Sequence, residues 1–250
     1  MNIVACFKRV PTTEAQVKVS AEGTGLATEG LQYMISFYDE IALEEAVRTR
    51  EAQGGEVTVL TIGPSEASKE MRECLAKGAD KGVLLTDPNW MSRDCRATAR
   101  ALAGEIGRLG ADIVFVGRVA TDRDNAAVGP MAATYLGWPC VTDVIGLELS
   151  EGRGTARRET EAGIETVTFP LPAVITCNKG LNEPRYAGLK GIMQAKKKPL
   201  EEQPCEEIAN QAQVLSVELP PPRGEGRIVG TGVDAVPALI EALQNEAQVL

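Results

Sequence analysis

An apolar run, a break and an amphipathic stretch follow one another three times between Asn2 and Leu109, a fourth apolar run ends at Val116, and this recurrence limits the fold more than any single motif. Asn2 to Phe7 reads as a buried strand, and from Phe37 the residues Ile41, Leu43, Ala46 and Val47 make one stripe of a helix. Ser36 stands where it can cap that helix, with Asp39 and Glu40 at its positive end. A second strand, Glu56 to Ile62, stops at Gly63-Pro64 and leads to a helix from Glu66 to Lys77 that Gly78 closes. Gly82 to Leu85 begins the third strand, a helix runs from about Ser92 to Leu109, Gly110 ends it, and Asp112 to Val116 is the fourth strand. Strands alternating with helices at this spacing predict an α/β fold: a mostly parallel sheet with right-handed crossovers and helices on both faces.

After Trp138-Pro139 the rhythm changes. Val141 to Leu149, Gly154 to Arg158, Glu165 to Phe169 and Ala173 to Cys177 read as strands on short turns, an antiparallel extension of the sheet. Beyond Lys198, Pro199, Pro204 and Pro220-Pro221-Pro222 punctuate an extended arm. It ends in an amphipathic helix, about Val233 to Gln244, with Val236, Leu239, Ile240 and Leu243 on one face. The division expected is an α/β domain over 1–200 and an arm over 201–250 with too little core of its own, which should pack on something else.

Composition removes several functions. With 26 basic and 35 acidic residues the net charge is -9, against nucleic-acid or anionic-membrane binding. No apolar run is long enough to span a bilayer, and a cytoplasmic location is expected. The six cysteines contain no C-x-x-C pair and read as reduced, mostly buried residues. Histidine is absent, which removes Ser-His and Cys-His pairs, imidazole metal ligation and the commonest general base near neutral pH. No catalytic residue and no metal site are expected.

In an open parallel sheet ligands sit at the carboxyl ends of the strands, where helix N-termini favour phosphate. The loops at that edge are Cys6-Phe7-Lys8, Ser36-Phe37-Tyr38-Asp39, Ile62-Gly63-Pro64 and Gly117 to Gly129. In the last, Gly117 admits close backbone approach, and Thr121, Asp122, Asp124 and Asn125 bring polar groups to the start of the next helix. An Asp/Asn-rich helix cap and a nucleotide site both fit this loop, which is neither a Walker loop nor G-x-G-x-x-G. Lys179 to Lys198 is different in character: Pro184, Gly188 and Gly191 loosen the backbone around Leu189, which is expected on a loop ahead of a basic run. A surface loop and a docking element both fit it.

The segments IVACFKRV, EIALEEAV (Glu40 to Val47), AKGADKG (Ala76 to Gly82), GRVATDRDN, RRETEAGIET (Arg157 to Thr166), LPAVIT (Leu171 to Thr176) and LNEPRYAGLKGIMQAKKK occur in this order. Together, from Asn2 to about Leu200, they resemble the beta subunit of electron transfer flavoproteins. The resemblance implies a heterodimer with an alpha subunit that holds most of the FAD, and an AMP with a structural role in this chain. Electrons would come from flavin-dependent dehydrogenases of the acyl-CoA or methylated-amine type and leave to a quinone reductase. Carried over by position, the nucleotide would lie against Cys6, Ser36, Phe37, Tyr38, Asp39, Ile62, Gly117, Arg118, Val119, Ala120, Thr121, Asp122, Arg123, Asp124, Asn125, Ala126, Ala127 and Val128. Tyr38 matches an aromatic position near the flavin and Glu159 an acidic position tied to the partner subunit. Leu189 matches the anchor of the loop that docks client dehydrogenases, with Tyr186 and Lys190 as its rim; a steering charge and a solvated face both fit Lys196 to Lys198. Electrons pass between flavins without a protein acid or base, which suits a chain with no histidine.

Some positions depart from the pattern. Ala126, Ala127 and Val128 stand where AMP-binding members are usually polar, and Thr13 where many have a tyrosine. Val128-Gly129-Pro130 also resembles electron-bifurcating members, whose beta subunit holds a second FAD, but Arg123 and Ala127 break their usual pattern. A stand-alone nucleotide-binding module or an adenylating enzyme remains a further reading. The second of these needs a phosphate loop after the first strand that Lys8-Arg9-Val10-Pro11 does not provide.

Overall fold

The computed structural model describes residues 1–222 and 224–250, which separate into two compact units, Met1–Val217 and Glu218–Leu250. The first unit is built on a nine-stranded sheet. Its strands are β1 (Asn2–Cys6), β4 (Glu56–Gly63), β5 (Lys81–Thr86), β6 (Ile113–Gly117), β7 (Cys140–Ser150), β8 (Arg153–Thr160), β9 (Gly163–Pro170), β10 (Ala173–Cys177) and β11 (Leu200–Pro204). They lie in the order β11-β5-β4-β1-β6-β10-β7-β8-β9. Two further strands, β2 (Arg9–Pro11) and β3 (Tyr33–Ile35), pair antiparallel as a separate ribbon. They lie between the first strand and the first helix read from the sequence, where no element was expected; three-residue strands leave no periodicity to detect.

The parallel order follows from burial on both faces. Alternate residues of the strands feed two cores: Ile3, Ala5, Val57, Val59, Ile113 and Phe115 on one face, Val4, Cys6, Leu60, Ile62, Val114 and Val116 on the other. Helices α1 (Phe37–Gln53) and α2 (Ser68–Lys77) supply Ile41, Leu43, Ala46, Val47, Met71 and Leu75 to the first face. Helix α3 (Cys95–Leu109) supplies Leu102 and Ile106 to the second, and α4 (Val128–Leu136) adds Ala133. Each large side chain so enclosed contributes about 1.5–3 kcal/mol. Gly110, at φ 62°, closes α3 in the left-handed conformation expected of a helix-ending glycine.

Three features differ from the sequence expectation. First, Ala173–Cys177 is not part of an antiparallel extension. It runs parallel to both β6 and β7 and sits between them, fully buried, as the continuous apolar run AVITC requires. The antiparallel pairs are β7–β8 and β8–β9 alone within this sheet. Second, Leu200–Pro204 is not free arm but the edge strand β11, parallel to β5. Its Pro204 is tolerated because an edge position leaves no partner on its outer side. Third, Leu189 does not sit on a loop; it opens the helix α5 (Leu189–Ala195). Gly191 explains the placement, since any side chain there would collide with the Ala76 carbonyl of α2. The second unit contains α6 (Val236–Asn245), where the terminal amphipathic helix was expected, with Val236, Leu239 and Ile240 exposed. Among the described residues no helix is long and apolar enough to cross a membrane.

Candidate functional site

A cleft opens at the carboxyl ends of β1, β4 and β6, where a parallel sheet presents ligand sites. Its floor is formed by Cys6, Ile62 and Val116, and one wall by the loop from Gly117 to Gly129. Gly117 is required there because Asp39 is packed directly against it. A Cβ at that position would strike the Asp39 carboxylate and come within 2.9 Å of its amide nitrogen. Asp39 accepts hydrogen bonds from the Gly117 N–H at 2.8 Å and the Lys8 N–H at 2.8 Å, so one buried carboxylate ties the end of β6 to the end of β1. Burial pushes its pKa up to about 7, against the two amide donors and Lys8, which favour the charged form. The helix-dipole role expected for Asp39 is therefore secondary to this tie.

Ser36 also does something other than cap α1. It precedes the helix but makes no side-chain cap bond; its hydroxyl accepts from the Thr121 N–H at 3.3 Å and so holds the cleft loop. The polar residues of that loop do not open a helix, because α4 begins only at Val128. Asp124 and Ala126 take positive φ values of 47° and 51°, and Ala127 returns to the right-handed region. Such a reversal makes a concave run of backbone N–H groups. Among the described residues, the N–H groups of Asn125, Ala126, Ala127, Val128 and Gly129 have no acceptor. Gly129 lets α4 approach the sheet, since a Cβ there would lie 2.8 Å from the Val116 side chain.

The cations of the cleft are largely neutralised. Lys8 pairs with Asp122 at 2.6 Å, Arg93 with Asp87 at 2.7 Å and Arg118 with Asp143 at 2.6 Å, while Arg123 donates to the Met91 carbonyl. An anion entering here meets unpaired amides ahead of free side-chain charge.

Of the residues singled out from sequence, the structure brings Cys6, Asp39, Ile62, Gly117, Arg118, Val119, Ala120, Asp122, Arg123, Asn125, Ala126, Ala127 and Val128 onto the cleft. Ser36, Phe37, Tyr38, Thr121 and Asp124 do not line it. Phe37 is exposed and packs edge-on to Tyr38, which leans on the core of the α1 face. The sequence reading missed the opposite wall: Trp90, Met91 and Arg93, then Cys95, Thr98 and Leu102 of α3. The signal was positional, since the loop after β5 ends at the same sheet edge as the other loops.

The second feature is the segment before and within α5. Tyr186 and Leu189 are 97% and 83% exposed, Met193 is 72% exposed, and Lys190 also faces solvent. The backbone beneath is fastened. Arg185 holds Glu44 through Nε at 2.8 Å and Nη2 at 2.9 Å, and also pairs with Glu51. Asn182 donates to the Ile41 carbonyl and to Glu45. At the other end Arg72 donates to the carbonyls of Ala195 and Lys198. Lys198 itself donates to the carbonyls of Leu75 and Ala79, so the basic run is not one steering charge: Lys196 and Lys197 are exposed, and Lys198 is a structural anchor. Glu159, in β8, accepts from Asn178 Nδ2 at 3.1 Å and is exposed.

Comparison with known proteins bears on both features. A family model described as electron transfer flavoprotein domain matches residues 24–207. The chain is 33% identical to an electron transfer flavoprotein subunit beta of Bacillus subtilis, over the whole length of both. It is 43% identical to the subunit beta of Thermoanaerobacterium thermosaccharolyticum over 78% of this chain and 75% of that one. It is 35% identical, over the whole of both chains, to a protein of Acetobacterium woodii named caffeyl-CoA reductase-Etf complex subunit CarD. The matched family model, the full-length likeness to beta subunits and a mostly parallel sheet with a cleft at its carboxyl edge agree, and the chain belongs to the electron transfer flavoprotein beta subunit family.

Proposed function

We propose that this chain is the beta subunit of a heterodimeric electron carrier, paired with an alpha subunit that holds most of an FAD, and that its own cleft binds AMP. The observation that carries the nucleotide reading is the run of five backbone N–H groups beside the cleft, Asn125 to Gly129, without acceptors among the described residues. A phosphate satisfies such groups without any side chain, so Ala126, Ala127 and Val128 are compatible with it. The apolar floor and Trp90 offer surface to a base. When bound, the flavin supplies the one- and two-electron chemistry. The chain's own residues bind, orient and dock: Tyr38 stands toward the flavin, Glu159 toward the alpha subunit, and Tyr186, Leu189 and Lys190 toward flavin-dependent dehydrogenases, acyl-CoA or methylated-amine type. An exposed Leu189 on a fastened backbone is the form of a preorganised hot spot. Electrons then leave to a quinone reductase.

A second reading, an electron-bifurcating subunit with a second FAD in the same cleft, draws support from the apolar Ala126-Ala127-Val128 run and from the likeness to the Acetobacterium woodii protein. An adenylating enzyme is disfavoured, because Arg9–Pro11 is strand β2 and the Lys8 N–H is taken by Asp39. Nucleotide content of the heterodimer separates the first two readings: one FAD and one AMP is the expected result, two FAD selects the second, and a stable flavin-free homodimer would select a stand-alone nucleotide-binding module instead.

A further inference from the structure

The cleft wall missed by the sequence reading is held from behind by a part of the chain with no evident reason to be there. Residues 205–212 follow edge strand β11, and Cys205 and Ile208 pack partly against the core of the α3 face. The Cys205 N–H donates to the Thr86 carbonyl, and the polar attachment of 206–212 falls on Ser92, Arg93 and Asp94, inside the five-residue stretch Met91 to Cys95. On the cleft side, the Met91 carbonyl accepts from Arg123 and the Cys95 sulfur from Asn125 Nδ2 at 3.1 Å. On the other side, the Ser92 carbonyl accepts from Asn210 Nδ2 at 2.8 Å, and the Asp94 N–H donates to Asn210 Oδ1 at 3.0 Å. Asp94 divides its carboxylate: Oδ1 caps α3 by accepting from the Ala97 N–H at 2.6 Å, and Oδ2 accepts from the N–H groups of Gln211 and Ala212. Arg93 spans both sides, pairing with Asp87 and donating to the Glu206 carbonyl.

We propose that Asp94 and Asn210 are positioning residues of a strap that couples occupancy of the nucleotide cleft to the seating of residues 205–212. This rests on the reading of the cleft as a nucleotide site. Arg123 and Asn125 belong to the loop whose unpaired amides receive the phosphate, and each is bonded to one side of the 91–95 stretch. Ser92 and Asp94 alternate with those residues and hold 210–212. A ligand that orders the loop therefore orders the wall, and through the wall the segment that leads in sequence to residues 218–250. The coupling is reciprocal: a seated strap slows nucleotide loss, and a bound nucleotide protects the strap.

The test uses the full chain in its heterodimer with the alpha subunit, and AMP as the probe. Asn210→Ala removes both Asn210 bonds from an exposed position and leaves the α3 cap intact. The expected result is AMP release faster by about fivefold, the lower range of site-to-site coupling, with FAD content unchanged. In the unaltered heterodimer, hydrogen exchange of the peptide containing Gln211 and Ala212 rises when AMP is removed. A purely structural role for Asn210 does not make that exchange depend on nucleotide. Equal release rates, or exchange indifferent to AMP, overturns the coupling while leaving the cleft reading standing. Failure of the unaltered heterodimer to bind AMP overturns the cleft reading and the coupling together.

Discussion

Among the described residues, the groups left without partners in the cleft are backbone amides, Asn125 to Gly129, whereas in the segment from Tyr186 to Met193 they are apolar side chains. The cleft is closed from inside by Asp39, which spends both carboxylate oxygens on chain amides. The exposed segment is fastened from below by Arg185, Arg72 and Lys198, which spend their donors on α1, α2 and the segment's own carbonyls. The contrast teaches where each surface is vulnerable. A site made of backbone depends on glycines and on the group that sets the backbone, and tolerates side-chain change. A site made of side chains on a fixed backbone is lost by truncating one of them.

The sharpest way to break this comparison is Gly117→Val. The new side chain meets Asp39 and must push β6 from α1, so a stability loss of about 3 kcal/mol is expected together with loss of nucleotide, read by denaturant midpoint and nucleotide content. Normal AMP content in this variant would remove Asp39 and Gly117 from the site. Leu189→Ala comes next: dehydrogenase-linked electron transfer falls about 30-fold, equivalent to about 2 kcal/mol, while FAD, AMP and thermal stability stay constant. Unaltered transfer rates would deny the segment its docking role.

The third prediction concerns pH. An unfolded aspartate titrates near 3.8, but burial raises Asp39 to about 7 in the fold. Between these values the folded chain holds a proton that the unfolded chain has released. The stability contributed is fully present below pH 3.8 and is lost as pH rises through 7. Unfolding free energy should fall with pH by up to about 1.4 kcal/mol per unit across that window. Asp39→Asn, less stable because one amide loses its acceptor, should lack this slope; an identical slope in both proteins would assign it elsewhere. The smallest effect is expected at Ala126→Gly. Glycine relieves the positive φ but adds freedom to the unfolded chain, leaving stability within about 1 kcal/mol and AMP retained, as thermal denaturation and nucleotide content will show.

The parallel sheet, the helix boundaries around α1 to α3 and the location of the cleft loop were legible because they rest on local periodicity and on glycine and proline punctuation. Leu189 was legible as an unusual exposed position, from the glycines around it. Lys198 was not: in sequence it is one of three adjacent lysines, and only the approach of the Leu75 and Ala79 carbonyls, in and just after α2, separates it from Lys196 and Lys197. The same holds for Ser36 and Asp39, whose side chains suit a helix start but are taken up by a loop about 80 residues away.

The alternation of apolar and amphipathic runs by itself determined the α/β class, and the absence of histidine by itself removed imidazole chemistry. Tertiary structure decided that Ala173–Cys177 is an inner parallel strand, that Leu200–Pro204 closes an edge, and that Met91 to Cys95 joins the cleft to the segment behind it. The physical reason is range. Periodicity records which face of an element is buried, but not which element covers it. Strand order and the partners of Asp39, Asp94 and Lys198 depend on contacts between residues far apart in the chain.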